Sequence, residues 1–156
     1  MSGACFAARL IQPLCRFLRV VKIMGAWGIN TFENDDASDW LGEFCDEPNE
    51  DLLIDAFAAV NDIGDDYLEA PESSAALAAA EVVAALLGKP SAKLPDEAQE
   101  CVRNFKLKPN DELLASAQKA VARVQTNSEL KELWDESDDA AQWQTTVQDL
   151  ATRLKQ

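Results

Sequence analysis

From Asn34 to the end of the chain, apolar residues return every three or four positions and acidic or polar residues fill the gaps. Ala37, Trp40, Leu41, Phe44 and Cys45 follow the i, i+3, i+4, i+7, i+8 spacing of one helical stripe, with Asp36, Asp39 and Glu43 opposite. Asn34 is a good N-cap, and Asp35 and Asp36 fall in the first turn, where carboxylates complement the helix dipole. Pro48 separates this helix from a second at about 51–63, whose stripe is Leu53, Ala56, Phe57 and Val60 and whose C-terminal glycine is Gly64. The run ESSAALAAAEVVAALL at about 72–87 is apolar nearly all round apart from Glu81. Such a helix belongs at the centre of a bundle, where alanines let neighbours approach closely. It is too short for a comfortable membrane span, and Glu81 counts against one.

Gly88 and Pro90 end that helix. A shorter one follows at about 94–105 (Leu94, Ala98, Cys101, Val102, Phe105), with Pro95 near its first turn. Asn110 caps the next, with stripe Leu113, Ala117, Ala120, Val121 and Val124. Ser128 caps a short helix containing Leu130, Leu133 and Trp134. Ser137 or Asp138 opens the last, with Trp143, Val147, Leu150, Ala151 and Leu154 on its stripe. No segment alternates with period two. The expected fold is all-α, a compact bundle of six or seven short antiparallel helices with no sheet. No exact internal repeat is visible, and pairwise stacking like an α-solenoid stays open. The stretch 24–45, with its Trp27-Gly28 turn, Phe32 and first helix, is expected to organise the chain and to cap the fold.

Charge is more informative here than composition. An apolar fraction of 47% is that of a globular chain, and 156 residues suit one domain. The net charge is −14 but unevenly spread. Residues 1–23 hold Arg9, Arg16, Arg19 and Lys22 and no acid, while sixteen Asp and Glu and no Lys or Arg lie between Lys22 and Lys89. The first 23 residues make a poor signal peptide, because Arg9, Pro13, Arg16 and Arg19 interrupt every apolar run. They differ from the rest in charge sign and periodicity, so the domain is placed at 24–156, with 1–23 a basic extension outside it and Met24 as the start.

The acidic field repels nucleic acid and anionic membrane and favours cationic partners or divalent cations, and the partner expected from it is a basic protein. The plain alternative is a solvated surface that keeps the protein soluble. The partner-binding candidates are Asp35, Asp36, Asp39 and Glu43 on the first helix and Asp62, Asp65 and Asp66 in the loop that follows the second. That loop lacks the spacing, central Gly and terminal Glu of an EF-hand, so no metal is assigned to it. The four cysteines form no C-x-x-C pair, and the chain has no histidine to complete a zinc site. Cys45 and Cys101 sit on apolar stripes as small hydrophobes, a pattern that suits free thiols in a reducing, cytoplasmic setting.

Catalysis finds little support. The missing histidine removes the commonest general base and the usual partner of a Ser or Cys nucleophile. No phosphate loop, dinucleotide fingerprint or nucleophile elbow occurs. No catalytic residue and no cofactor is assigned. Trp40 and Trp143 lie on apolar stripes and are expected in the core. Trp27, Gly28, Phe32, Asn34 and Trp40 are read as structural positions of the opening motif.

That opening, MGAWGINTFENDDASDWLGEF at 24–44, resembles the start of a bacterial family called domain of unknown function 4259: Met-Gly-x-Trp-Gly, a Phe, an Asn-Asp pair, then Ala-x-Asp. AALAAAEVVAALLG at 75–88, SELKELWDES at 128–137, Trp143 and DLATRL at 149–154 are similar to its later blocks. The resemblance covers nearly all of 24–156 and implies no activity or catalytic residue. The expected function is therefore that of a non-enzymatic acidic helical protein that binds a basic partner, as immunity-type proteins do. The alternatives are a carboxylate-based metal-dependent hydrolase and a self-associating structural protein.

Overall fold

Four side chains start four of the helices. The oxygens of Asn34, Asn49, Asn110 and Ser128 accept hydrogen bonds from the backbone N–H of Ala37, Leu52, Leu113 and Lys131 at 2.8, 3.1, 2.7 and 3.1 Å. Each satisfies one of the N–H groups that a helix start leaves unpaired. The computed structural model describes residues 29–155. Within them the chain forms a 3-10 turn at Thr31–Glu33 and seven helices. These are α1 (Asp35–Asp46), α2 (Glu50–Asn61), α3 (Ala70–Leu86), α4 (Asp96–Phe105), α5 (Asp111–Thr126), α6 (Glu129–Asp135) and α7 (Ala140–Arg153). The described residues contain no strand, so the all-helical expectation holds.

Left-handed residues mark several helix ends. Gly64 (φ 67°) follows α2, and Gly88 (φ 85°) follows α3. Lys106 (φ 55°) closes α4, the one non-glycine with positive φ among the described residues. The start of α7 differs from expectation, since Asp139 precedes its first turn. Ser137 instead donates to the Trp134 carbonyl and accepts from the Asp139 N–H at 2.8 and 3.1 Å, so it shapes the turn rather than capping the helix.

The hub is α3, which packs against all six other helices and the 3-10 turn. Its Ala76, Ala78, Ala79, Ala80, Val82, Val83 and Ala84 are wholly buried. Small side chains on every face let several helices reach it at once, which a bulkier helix would prevent. The expectation that 24–45 organises the fold is therefore corrected: α1 is one of several covers on α3. Around the hub lie Phe44, Leu53, Phe57, Val60, Val121, Val124 and Leu150, all fully or almost fully buried. Trp134 and Trp143 are buried and stacked, with ring centroids 6.3 Å apart. Trp40 is only half-buried, lying flat against Phe44 at 5.3 Å on the rim of the core.

The cysteines need a second correction. Cys45 on α1 and Cys101 on α4 are joined by a disulfide, with Cα atoms 5.6 Å apart. The sequence pattern alone predicts free thiols on apolar stripes. The stripes are right, but α1 and α4 pack side by side and face the two sulfurs at each other across 56 residues of chain. The cysteine argument for a reducing compartment falls with this bond. Among the described residues no helix is long and apolar enough to cross a membrane.

Candidate functional site

The first acidic set lies along α1. Asp35, Asp39 and Glu43 recur every four residues, so they form a ridge on one helix face, and all three are exposed. Asp36 is half-buried. A ridge of parallel, solvated carboxylates does not converge on a reacting atom, as an acid–base pair must. It presents negative charge to whatever approaches.

The second set lies in the loop between α2 and α3, where Asp62, Asp65 and Asp66 are exposed. The loop turns its backbone inward. Arg123 on α5 donates to the carbonyl oxygens of Gly64 and Asp66 at 2.6 and 2.8 Å, and its Nε donates to Asn127 O at 3.0 Å. Glu129 at the start of α6 completes the fastening: its N–H donates to Leu68 O at 2.8 Å, and its carboxylate accepts from the Ala70 N–H at 2.9 Å. Tyr67 donates to Glu132 at 2.9 Å. Two carbonyls that a bound cation could have used are thus held by a guanidinium, and the three carboxylates of the loop are exposed. Among the described residues, no three His, Cys, Asp or Glu side chains gather as a metal site would require.

The two acidic sets are not brought together. α1 packs on α3 and α4, whereas the loop is tied to α5 and α6. Phe32 is half-buried against the core, and Asn34 caps α1. Trp27 and Gly28 lie outside the described residues, as does the basic segment 1–23.

Sequence reasoning missed Glu81 as a position of interest. It is 3% exposed in the middle of α3. Both its oxygens receive Arg153 near the end of α7, Nη1 to Oε2 and Nη2 to Oε1, each at 3.0 Å. Thr31 donates to Oε1 at 3.4 Å. Arg153 also donates from Nε to Asp149 at 2.8 Å and from Nη1 to Lys89 O at 3.2 Å. Burial works against the Arg153 charge, but hydrogen bonds and attraction from Glu81, then from Asp149, outweigh it and hold the guanidinium above its ordinary pKa. The signal was present in the sequence. An acid set among buried alanines and valines in mid-helix has to find a cation or lose its charge. The space beside it, bordered by Thr31, Lys93, Leu94 and Thr146, measures about 10 Å³. That is room for one water at most. The pair ties α3 to α7.

Larger hollows lie elsewhere. An open shelf of about 520 Å³ runs beside α5 and α7, edged by Gln125, Gln144, Gln148 and Thr152. A cleft of about 350 Å³ between α2 and α5 meets Ile54, Asn61, Glu112 and Lys119, with Asp62 at its edge. Neither encloses a set of convergent catalytic groups. No curated protein and no solved structure matches the chain. The model of one family, described as a domain of unknown function (DUF4259), matches residues 25–146, from just after Met24 into the first half of α7, and the chain belongs to that family.

Proposed function

We propose that this protein is a binding module for a basic protein, which it meets with the carboxylate ridge of α1 and the outward acids of the loop after α2. The observation that carries this reading is the disposition of Asp35, Asp39, Glu43, Asp62, Asp65 and Asp66. All six are exposed, and none belongs to the ion pairs found among the described residues, which join Lys131 to Asp135 and Arg153 to Glu81 and Asp149. Sixteen acids with no intervening cation between Lys22 and Lys89 make a field that raises the encounter rate with a positively charged surface. Small acidic immunity-type proteins that neutralise basic nuclease toxins work on this principle. The helices and the Arg123 clamp hold the carboxylates at fixed places, so the surface needs little ordering on contact.

The test is affinity capture from the source organism with the full chain and with an Asp35→Asn/Asp39→Asn/Glu43→Gln variant, at low and moderate salt. The expected outcome is a basic partner retained by the parent chain, released as salt rises and held at least about tenfold more weakly by the variant. Capture that ignores both salt and the substitutions would refute the reading.

A further inference from the structure

We propose that the Cys45–Cys101 bond is a redox-operated clamp on α4, so that a dithiol reductant opens this helix locally while the rest of the fold stays closed. The inference does not depend on the proposed binding activity. It rests on how little else holds α4. Among its ten residues only Ala98 is buried; Cys101, Val102 and Phe105 are half-covered. α4 packs chiefly on α3 and α1, and the disulfide bonds it covalently to α1. By contrast, twelve of the seventeen residues of α3 are buried.

The joints at the two ends of α4 suit such a movement. Gly88 and Pro90 lie on the N-terminal side, where residues 88–90, Ala92 and Lys93 are exposed and Ser91 is half-buried ahead of Leu94. Left-handed Lys106 closes the C-terminal end. A helix with few buried contacts and two irregular flanks belongs to the low-stability end of the fold, where local opening is least costly. A bond from Cys101 to α1 suppresses that opening by keeping the helix beside its docking groove. Both cysteines are half-buried rather than sealed in the core, so a small reductant can reach them. A second contact joins the same two helices: Phe105, four residues after Cys101, is edge-on to Phe44, next to Cys45, at 5.4 Å. It is what opening would break.

The chemistry balances with a dithiol such as dithiothreitol. Its thiolate attacks one cysteine sulfur, the Sγ–Sγ bond breaks and the other cysteine leaves as thiolate. The reagent's second thiolate then displaces the first cysteine. The protein gains two electrons and two protons, and the reagent ends as a cyclic disulfide.

The test is hydrogen–deuterium exchange of the full chain before and after reduction, and again after reoxidation. Alkylation with peptide mapping assigns the state of each cysteine. The expected result is that Cys45 and Cys101 resist alkylation until reduced. Reduction then speeds exchange across 96–105 by at least about tenfold, leaves α3 and α5 within about twofold, and reoxidation reverses it. A Cys45→Ser/Cys101→Ser variant should exchange like the reduced chain. Free alkylation of both cysteines without reductant would overturn the proposal. So would unchanged exchange in α4, or a rise shared equally by every helix.

Discussion

Glu81 and Arg153 meet through two hydrogen bonds of 3.0 Å, 72 residues apart in sequence, and fasten α3, the most apolar helix among the described residues, to α7. Two charges taken out of water gain little net stability when well paired, but an orphaned one is costly. Arg153→Ala should therefore destabilise the fold by about 3–5 kcal/mol in urea titration. The Glu81→Met/Arg153→Met variant should recover most of that loss. If the double variant is as unstable as the single one, the cost comes from lost packing rather than from the bare carboxylate.

The same pair sets an expectation for pH. Arg153 is a cation whose folded pKa is raised, so its contribution is fully present below the ordinary arginine value and is lost only as pH rises through the still higher folded one. Between about pH 7 and pH 10 the stability difference between the parent chain and the double methionine variant should stay constant. A gap that shrinks steadily across this range would contradict the assignment of Arg153 as the permanent partner.

Trp40 and Phe44 stack at 5.3 Å but differ in depth, Phe44 being wholly buried and Trp40 half-exposed. Phe44→Ala should cost about 3–5 kcal/mol through a buried cavity. Trp40→Ala, which opens onto solvent, should cost about 1–3 kcal/mol. Thermal or urea unfolding of the two variants decides the order.

Asn34→Ala removes the 2.8 Å hydrogen bond to the Ala37 N–H at the start of α1. The expected loss is about 1 kcal/mol. Asn34→Asp keeps an acceptor at the helix N-terminus and should restore it.

Arg123→Ala strips the loop 62–69 of its clamp on Gly64 O and Asp66 O. Global stability should fall by only about 1–2 kcal/mol, because these bonds lie near the surface. Limited proteolysis should show the larger effect, with cleavage appearing first between Asp62 and Glu69. Cleavage elsewhere in the chain would argue against the clamp.

What could be read from the residues follows physical range. Caps and stripes act within four residues, so Asn34, Asn110 and Ser128 and the buried faces of α1, α2, α5 and α7 were legible from the chain alone. The centrality of α3 was legible too, because alanine-rich, all-round apolar composition has few other uses. The partner of Glu81 and the meeting of Cys45 with Cys101 were not, since each depends on which helices lie side by side. Trp40 shows a subtler limit. A stripe gives the direction of a side chain but not how thick its cover is, and at the edge of α1 the cover is thin. The acidic ridge of α1 was legible as a face. That the loop acids stand apart from it, backed by Arg123, was visible only once the chain was folded.

The family match stops at residue 146, seven residues short of Arg153. A chain cut at that boundary would keep the hub helix and every acid of the proposed surface. It would also carry the Glu81 carboxylate with no guanidinium to neutralise it, sealed in the interior. Anyone trimming the protein for crystals or binding assays should keep the final turn of α7, or replace Glu81 along with it.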